Sequence, residues 1–117
     1  MVRIAAQAQI DIVDTLRFTK VRLGESVRSL YQDLLQATFQ SLADDPAHIS
    51  STFRDELSPG LRSLHLGSNS LEVSDGRIIT PRHIIFYRTG KDEVVEILRV
   101  LHDAMEVAQH LNHLHQQ

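Results

Sequence analysis

The chain has 117 residues, 42% hydrophobic and 23% charged, with a net charge of −3 and no cysteine. That is the composition of one ordinary globular domain with a real core, and it excludes a disulfide framework, a thiolate metal site and extensive intrinsic disorder. No apolar run approaches the ~20 residues that span a bilayer, and the start, MVRIAAQAQID, lacks the layout of a signal peptide, so a cytoplasmic protein is expected.

Val2–Ala6 reads as a short first strand. From Gln7 to Leu23 the pattern turns helical: Ile10, Val13, Leu16 and Lys20 recur at three-to-four spacing, with Ile12 and Phe18 widening the stripe. Asp11 and Asp14 lie early, and Arg17, Lys20 and Arg22 late, which complements the helix dipole. Gly24 is the natural stop. A second helix follows, with Ser26 as its cap or Glu25 in its first turn. Val27, Leu30, Tyr31, Leu34, Leu35, Thr38 and Leu42 share one face, with Phe39 beside them, and Pro46 ends the run. The short connection predicts an antiparallel αα-hairpin whose apolar stripe covers the strands downstream.

Ala47–Gly60 reads as polar and irregular, closing on the turn signal Ser58-Pro59-Gly60. Leu61–Leu66 alternates as a strand with two different faces. Gly67–Pro81 is loop-rich, and its Asp75-Gly76 pair suits a small hairpin between Leu71–Val73 and Arg77–Ile79. Ile84–Tyr87 and Val94–Leu101 are apolar strands joined by Thr89-Gly90-Lys91-Asp92, with Gly90 free to take a positive φ. The second run is apolar at most positions, so it is expected in the middle of the sheet. Ala104–Leu114 reads as a short C-terminal helix capped by Asp103. The expected fold is α+β: a small antiparallel sheet of three to four strands, the helical hairpin on one face, an open second face for a partner, and the short last helix, all in a single domain spanning 1–117.

Charge is unevenly spread. Residues 60–91 carry Arg62, Arg77, Arg82, Arg88 and Lys91 against Glu72 and Asp75, whereas 92–117 carry Arg99 against Asp92, Glu93, Glu96, Asp103 and Glu106. A basic strand region suits an acidic partner, while an acidic total argues against strong non-specific nucleic-acid binding. No phosphate-binding glycine loop, Gly-x-Ser-x-Gly elbow or His-Glu-x-x-His motif occurs. His110, His113 and His115 are grouped on the last helix, but a fraying terminus is poor support for zinc, and no metal or other cofactor is expected. His48 lies in a loop. His65, His83 and His102 sit on or beside strands with Arg62, Arg82, Arg88 and Arg99. Metal-free RNA cleavage needs a base, an acid and cations, roles that Arg62, His83, Tyr87, Arg88 and His102 suit. The competing reading makes these residues strand-end caps, ion pairs with Glu96 or Asp103, or protein contacts. Arg99 in particular is either paired to Glu96 or Asp103, or exposed for recognition.

Several stretches together resemble the ParE branch of the ParE/RelE toxin superfamily. They are Ala5-Ala6-Gln7-Ala8 with Asp11, Gly24, Leu42-Ala43-Asp44-Asp45-Pro46, Pro59-Gly60-Leu61-Arg62-Ser63, and the closing strands His83–Arg88 and Glu96–His102. Gly67–Pro81 is longer than the family's usual connection, and Asp103 stands where glycine commonly follows His102. The resemblance implies a toxin of a type II toxin–antitoxin system, of the plasmid-stabilisation kind. It implies a cognate antitoxin that wraps the toxin in a hetero-oligomer, and DNA gyrase as the target, inhibited by binding, with no membrane partner. Arg62, Arg82, Arg88, Arg99 and His102 are the candidate binding residues. RelE-like relatives instead cut mRNA on the ribosome, and that is the alternative.

Overall fold

A computed structural model describes residues 2–48, 50–105 and 107–111. In chain order the elements are β1 (Val2–Ile4), α1 (Ala6–Leu23), α2 (Glu25–Asp44), β2 (Thr52–Phe53), β3 (Arg62–His65), a 3-10 turn at Leu66–Ser68, β4 (Leu71–Glu72), β5 (Ile78–Ile79), β6 (His83–Thr89), β7 (Val95–His102) and α3 (Val107–His110). The class is α+β, as expected. Of the expected last helix, one turn at Val107–His110 is seen, and residues 112–114 lie outside the described residues. Asp103 does not cap it; its carboxylate is engaged elsewhere.

The main sheet runs β1-β7-β6-β3-β2, and β4 and β5 pair separately. It is larger than the expected three to four strands, and it is mixed. β1 lies parallel to β7, with Val2, Arg3 and Ile4 opposite Val95, Glu96 and Ile97. The chain leaves β1 into α1 and returns to the sheet only after both helices, so nothing forces the antiparallel sense that a tight turn would impose. β2 was not anticipated. It is two exposed residues at the far edge, paired to Arg62 and Ser63, and too short to carry an alternation signal.

β6 and β7 form the middle of the sheet. Ile85, Tyr87, Val95, Ile97 and Val100 face Tyr31, Leu35, Phe39 and Leu42 of α2. Phe86, Leu98 and Leu101 face the other way, onto Leu61 and Leu111. The second face is therefore less open than expected, because the turn before β3 and the C-terminal segment close its centre. A bulge sets this two-sidedness: Phe86 stands opposite Arg99, whereas Tyr87 stands opposite Ile97, so Leu98 is the extra residue.

Gly24 joins the helices by itself, with φ +98. Its N–H bonds to Lys20 O and closes α1, and its carbonyl accepts from Arg28 N and opens α2. Ser26 is therefore inside the helix, not its cap. α2 buries the expected side, with Val27, Tyr31, Leu35, Phe39 and Leu42 inward. α1 does not. Its inward residues are Ala8, Thr15 and Thr19, with Ile12 and Leu16 half-buried, while Ile10, Val13 and Phe18 point to solvent. The stretch 67–81 is folded: Leu71 and Val73 are buried, Ile79 packs on the core, and Arg77 Nη1 donates to Leu23 O at the end of α1 (3.0 Å).

The β6–β7 turn also differs from expectation. Gly90 keeps an ordinary φ, and Glu93 takes the left-handed region at φ +64. Glu93 N–H bonds to Gly90 O, and Gly90 N–H to Val94 O, which is a three-residue loop ending in a left-handed residue. That conformation costs a side-chain-bearing residue roughly 1–2 kcal/mol, partly offset by the entropy that glycine would lose. Glu93→Gly is therefore expected to stabilise the chain by about 0.5–1 kcal/mol, read as a higher urea midpoint at unchanged m-value.

Candidate functional site at the ends of the central strands

The pairing of His83 with His102 at the end of β6 and β7 gathers most of the notable polar chemistry in one place. His83 points at the helices. Its Nδ1 lies 2.6 Å from the Tyr31 hydroxyl and its Nε2 3.4 Å from Thr15 Oγ1. Its ring stands edge-on to those of Tyr31 and His102, with centroids 5.6 and 5.3 Å away. Burial pushes the Tyr31 hydroxyl above its ordinary range, so Tyr31 keeps its proton and shares a hydrogen bond with Nδ1. Burial, reinforced by His102, pushes His83 down to about 4, against weaker pulls upward from Asp103 and Asp11. His83 is thus neutral at pH 7, with both ring nitrogens turned to protein hydroxyls.

Asp103 is the anionic centre of the same end. Its Oδ2 lies 3.0 Å from His65 Nε2, and its Oδ1 lies 2.8 Å from Arg82 Nη2 and 3.6 Å from His102 Nδ1. The hydrogen bond from His65, aided by Arg82, holds its carboxyl below the usual range. Local backbone orients both imidazoles: Gly67 N–H donates to His65 Nδ1 (2.8 Å) and Ala104 N–H to His102 Nδ1 (3.1 Å). A Cβ at Gly67 would meet the His65 ring at 2.8 Å, so a larger residue there would displace that imidazole.

Arg99 is buried, and its partner is neither Glu96 nor Asp103. Its Nε and Nη2 donate to the two oxygens of Asp11 (2.8 and 3.0 Å), and its Nη1 donates to His110 O (2.8 Å). Asp11 Oδ2 also accepts from Val100 N (3.0 Å). The side chains of this pair are 9% and 10% exposed. Arg99 thus holds the fold together and is not a surface recognition residue. A cleft of 230 Å³ opens beside the pair, with Asp14, Thr15, His83, His102 and Met105 among its walls. His83 and His102 also border a smaller cleft of 160 Å³ with Phe18, Tyr31 and Arg82.

The remaining candidates lie elsewhere. Arg62 is opposite Tyr87 on the next strand. Its guanidinium stacks on Phe53 with 4.0 Å to the ring centroid, and Nε and Nη2 donate to Ser51 Oγ (3.0 and 2.8 Å). Tyr87 is fully buried, and its hydroxyl donates to Pro46 O (2.6 Å). Arg88 is opposite Glu96, near the turn. Four to five strand residues separate these from His83, which is about 15 Å. The nuclease set therefore divides into His83 and His102 at one end and Arg62, Tyr87 and Arg88 at the other. Sequence reasoning missed Asp11, Thr15 and Tyr31 as members of the site; for His65 the reading that paired the strand histidines and arginines with Glu96 or Asp103 is the one that fits, since its partner is Asp103. Asp11 was visible only as an early acid of the first helix and as part of the family resemblance, with nothing to link it to Arg99. Among the described residues, no three His, Asp or Glu side chains are grouped to hold a metal ion; His113 and His115 lie outside them. His48 Nδ1 accepts from Ser50 N (3.0 Å) within its loop.

A two-helix, mixed-sheet domain with a pinned charge cluster at its strand ends defines a small α+β protein whose polar groups mostly hold one another. Comparison with known proteins places it more closely. The family model described as the ParE toxin of the type II toxin-antitoxin system, parDE, matches residues 2–107. Toxin ParE1 of Caulobacter vibrioides is 30% identical over 109 residues, covering 93% of this chain and 95% of that protein. The chain belongs to the ParE toxin family of type II toxin–antitoxin systems.

Two outcomes are expected. Removing one member of a buried pair costs roughly 3–5 kcal/mol, so Asp11→Ala should lose about that in denaturant unfolding. The double variant Asp11→Leu, Arg99→Met should lose less than the sum of its single variants. Second, His83 binds a proton more weakly in the folded chain (about 4) than in the unfolded chain (6.5). The unfolded state therefore holds more protons between those values. The contribution of His83 is complete above pH 6.5 and is lost as pH falls toward 4. A series of melting temperatures across that window should fall for the wild type and be flatter for His83→Gln.

Proposed function

We propose that this toxin acts in the cytoplasm by binding DNA gyrase and stopping supercoiling, and that a cognate antitoxin neutralises it in a hetero-oligomeric complex. The target is taken from the family resemblance. One structural observation supports binding over chemistry: the residues that RNA cleavage would use do not converge. His83 is neutral, with both nitrogens directed at hydroxyls, Tyr87 spends its hydroxyl on Pro46 O, and Arg62 and Arg88 sit toward the other end of β6. A general acid–base pair must reach one scissile group within hydrogen-bond distance; His83 and His102 share one end of the sheet, but His83 has both nitrogens on protein hydroxyls and the other members of the set lie elsewhere. Among the described residues, no helix is long and apolar enough to cross a membrane. Of the candidate binding residues, Arg82 and Arg88 are the ones with accessible charge for a partner, Arg82 with a side chain 60% exposed.

The decisive experiment is a supercoiling assay with purified gyrase and ATP. Relaxed plasmid should stay relaxed at toxin excess, and a cognate antitoxin should restore supercoiling. Unchanged supercoiling, together with primer-extension stops on translated message that vanish in His83→Ala, His102→Ala, would replace this reading with the ribosome-dependent nuclease.

A further inference from the structure

The 160 Å³ cleft beside His83 is a slot between the end of α1 and the returning stem of the 67–81 stretch. Thr19 and Leu23 of α1 line it on one side, and Ile79, Thr80 and Pro81 on the other. Tyr31, Arg82, His83 and His102 border it as well. The stem belongs to the stretch in which this chain is longer than its family's usual connection, so the slot is built in part by what is particular to this chain.

An apolar cavity of about 150 Å³ holds one benzene ring, so the slot has the volume of a single aromatic ring. Leu23, Ile79 and Pro81 offer apolar surface for it. Apart from the Thr80 hydroxyl, the unpaired polar side-chain atoms around the slot are donors. Ala104 N–H donates to His102 Nδ1, so the proton of the neutral imidazole sits on Nε2, which has no hydrogen-bond partner among the described residues. Arg82 sets Nη2 against Asp103 Oδ1 (2.8 Å), while its side chain is 60% exposed and its Nε and Nη1 have no partner among the described residues. His83 offers no free group, because both its nitrogens are turned to hydroxyls. Asp103 is not a free acceptor here: its Oδ1 is shielded from solvent and its Oδ2 is held by His65 Nε2. A molecule that suits this slot has a ring and, at one end, a hydrogen-bond acceptor.

We propose that the slot binds a small, free aromatic carboxylic acid as its anion, with the ring between Leu23, Ile79 and Pro81 and the carboxylate at Arg82 and His102. The inference does not rest on the gyrase reading, since it concerns the toxin chain alone. Arg82 and Asp103 leave this end of the sheet close to neutral, so ring burial supplies most of the affinity and the carboxylate sets the orientation. For an acid of about ten non-hydrogen atoms, that corresponds to a dissociation constant of roughly 0.1–1 mM.

The test is a titration of the full-length chain, freed of antitoxin, followed by backbone amide chemical shifts. The probes are phenylacetate, its neutral amide phenylacetamide, and acetate. Phenylacetate should give saturable shifts centred on Leu23, Ile79–Arg82 and His102. Phenylacetamide should bind about fivefold more weakly, and acetate should not saturate. Arg82→Gln should weaken phenylacetate about fivefold and leave phenylacetamide unchanged. Thr80→Trp, which sets a ring at the exposed edge of the slot, should abolish both. Unchanged amide shifts elsewhere in the sheet check that each variant keeps the fold. The proposal is overturned if phenylacetate does not saturate or shifts residues elsewhere, if acetate or the amide binds as tightly, or if either variant leaves its affinity unchanged. It is equally overturned if an acetylated peptide ending in phenylalanine binds more tightly than phenylacetate, which would assign the slot to a chain terminus.

Discussion

The carboxylate of Asp11 settles a geometric problem on which the rest of the fold depends. β1 is only three residues long and pairs with β7 from Val95 to Ile97. Beyond that point the edge of a central strand would lie open, with Val100 N–H unsatisfied beside the core. α1 begins directly after β1, and Ala5 N–H still bonds to Ile97 O. One and a half turns later Asp11 accepts from Val100 N and binds Arg99 through both oxygens. A single side chain thus ends the strand pairing, fixes α1 against the sheet and stops a buried guanidinium from being unpaired. Through Arg99 Nη1 and His110 O the same link reaches the C-terminal segment, whose Leu111 closes the second core.

This constraint explains what was legible in the sequence and what was not. The β6–β7 pair, the interior place of β7, the inward stripe of α2 and the small β4–β5 pair follow from local patterns, because each is decided by burial of its own apolar residues. α1 is different. Its inner face is chosen by Asp11, Thr15 and Thr19, polar residues with partners far away in the chain or one turn back: Asp11 at Arg99, Thr15 near His83, and Thr19 on Thr15 O (2.7 Å). A periodicity argument weighs apolar residues alone, so its stripe held Ile12 and Leu16, which do pack on the core, together with Ile10, Val13 and Phe18, which do not. The parallel sense of β1 and the two-residue β2 escaped for a related reason, since both are set by the strand they join and not by their own composition. The left-handed residue fell on Glu93, not Gly90, because the loop's register is set by the strands it connects.

For the candidate site, the sequence placed histidines and arginines near the right strands but could not apportion them. β6 is seven residues long, and a residue at either end of it belongs to a different neighbourhood. His83, His102, Arg82, His65 and Asp103 form one cluster, tied by hydrogen bonds and ion pairs. Arg62 and Tyr87 are held by Ser51, Phe53 and Pro46 at the ends of α2 and β2. Of the groups that looked reactive in one dimension, Arg62, His83, Tyr87 and His102 each have a structural partner in three. That is how a chain of this size can bury histidine, arginine and tyrosine without a large penalty, since buried polar groups are tolerated when paired.

The same economy has a consequence for the surface. A helix has a limited circumference, and α1 uses its inner arc for small and polar residues that lock the strand edge and the His83 pocket. Its bulkier apolar side chains, Ile10, Val13, Phe18 and Val21, have no room inward and stand outside. The inner arc thus trades apolar burial for hydrogen-bonded geometry: Asp11, Thr15 and Thr19 set where α1 lies, and Ile12 and Leu16 pack around them. What hid the inner face of α1 from a periodicity argument is therefore what fixes the helix against the sheet.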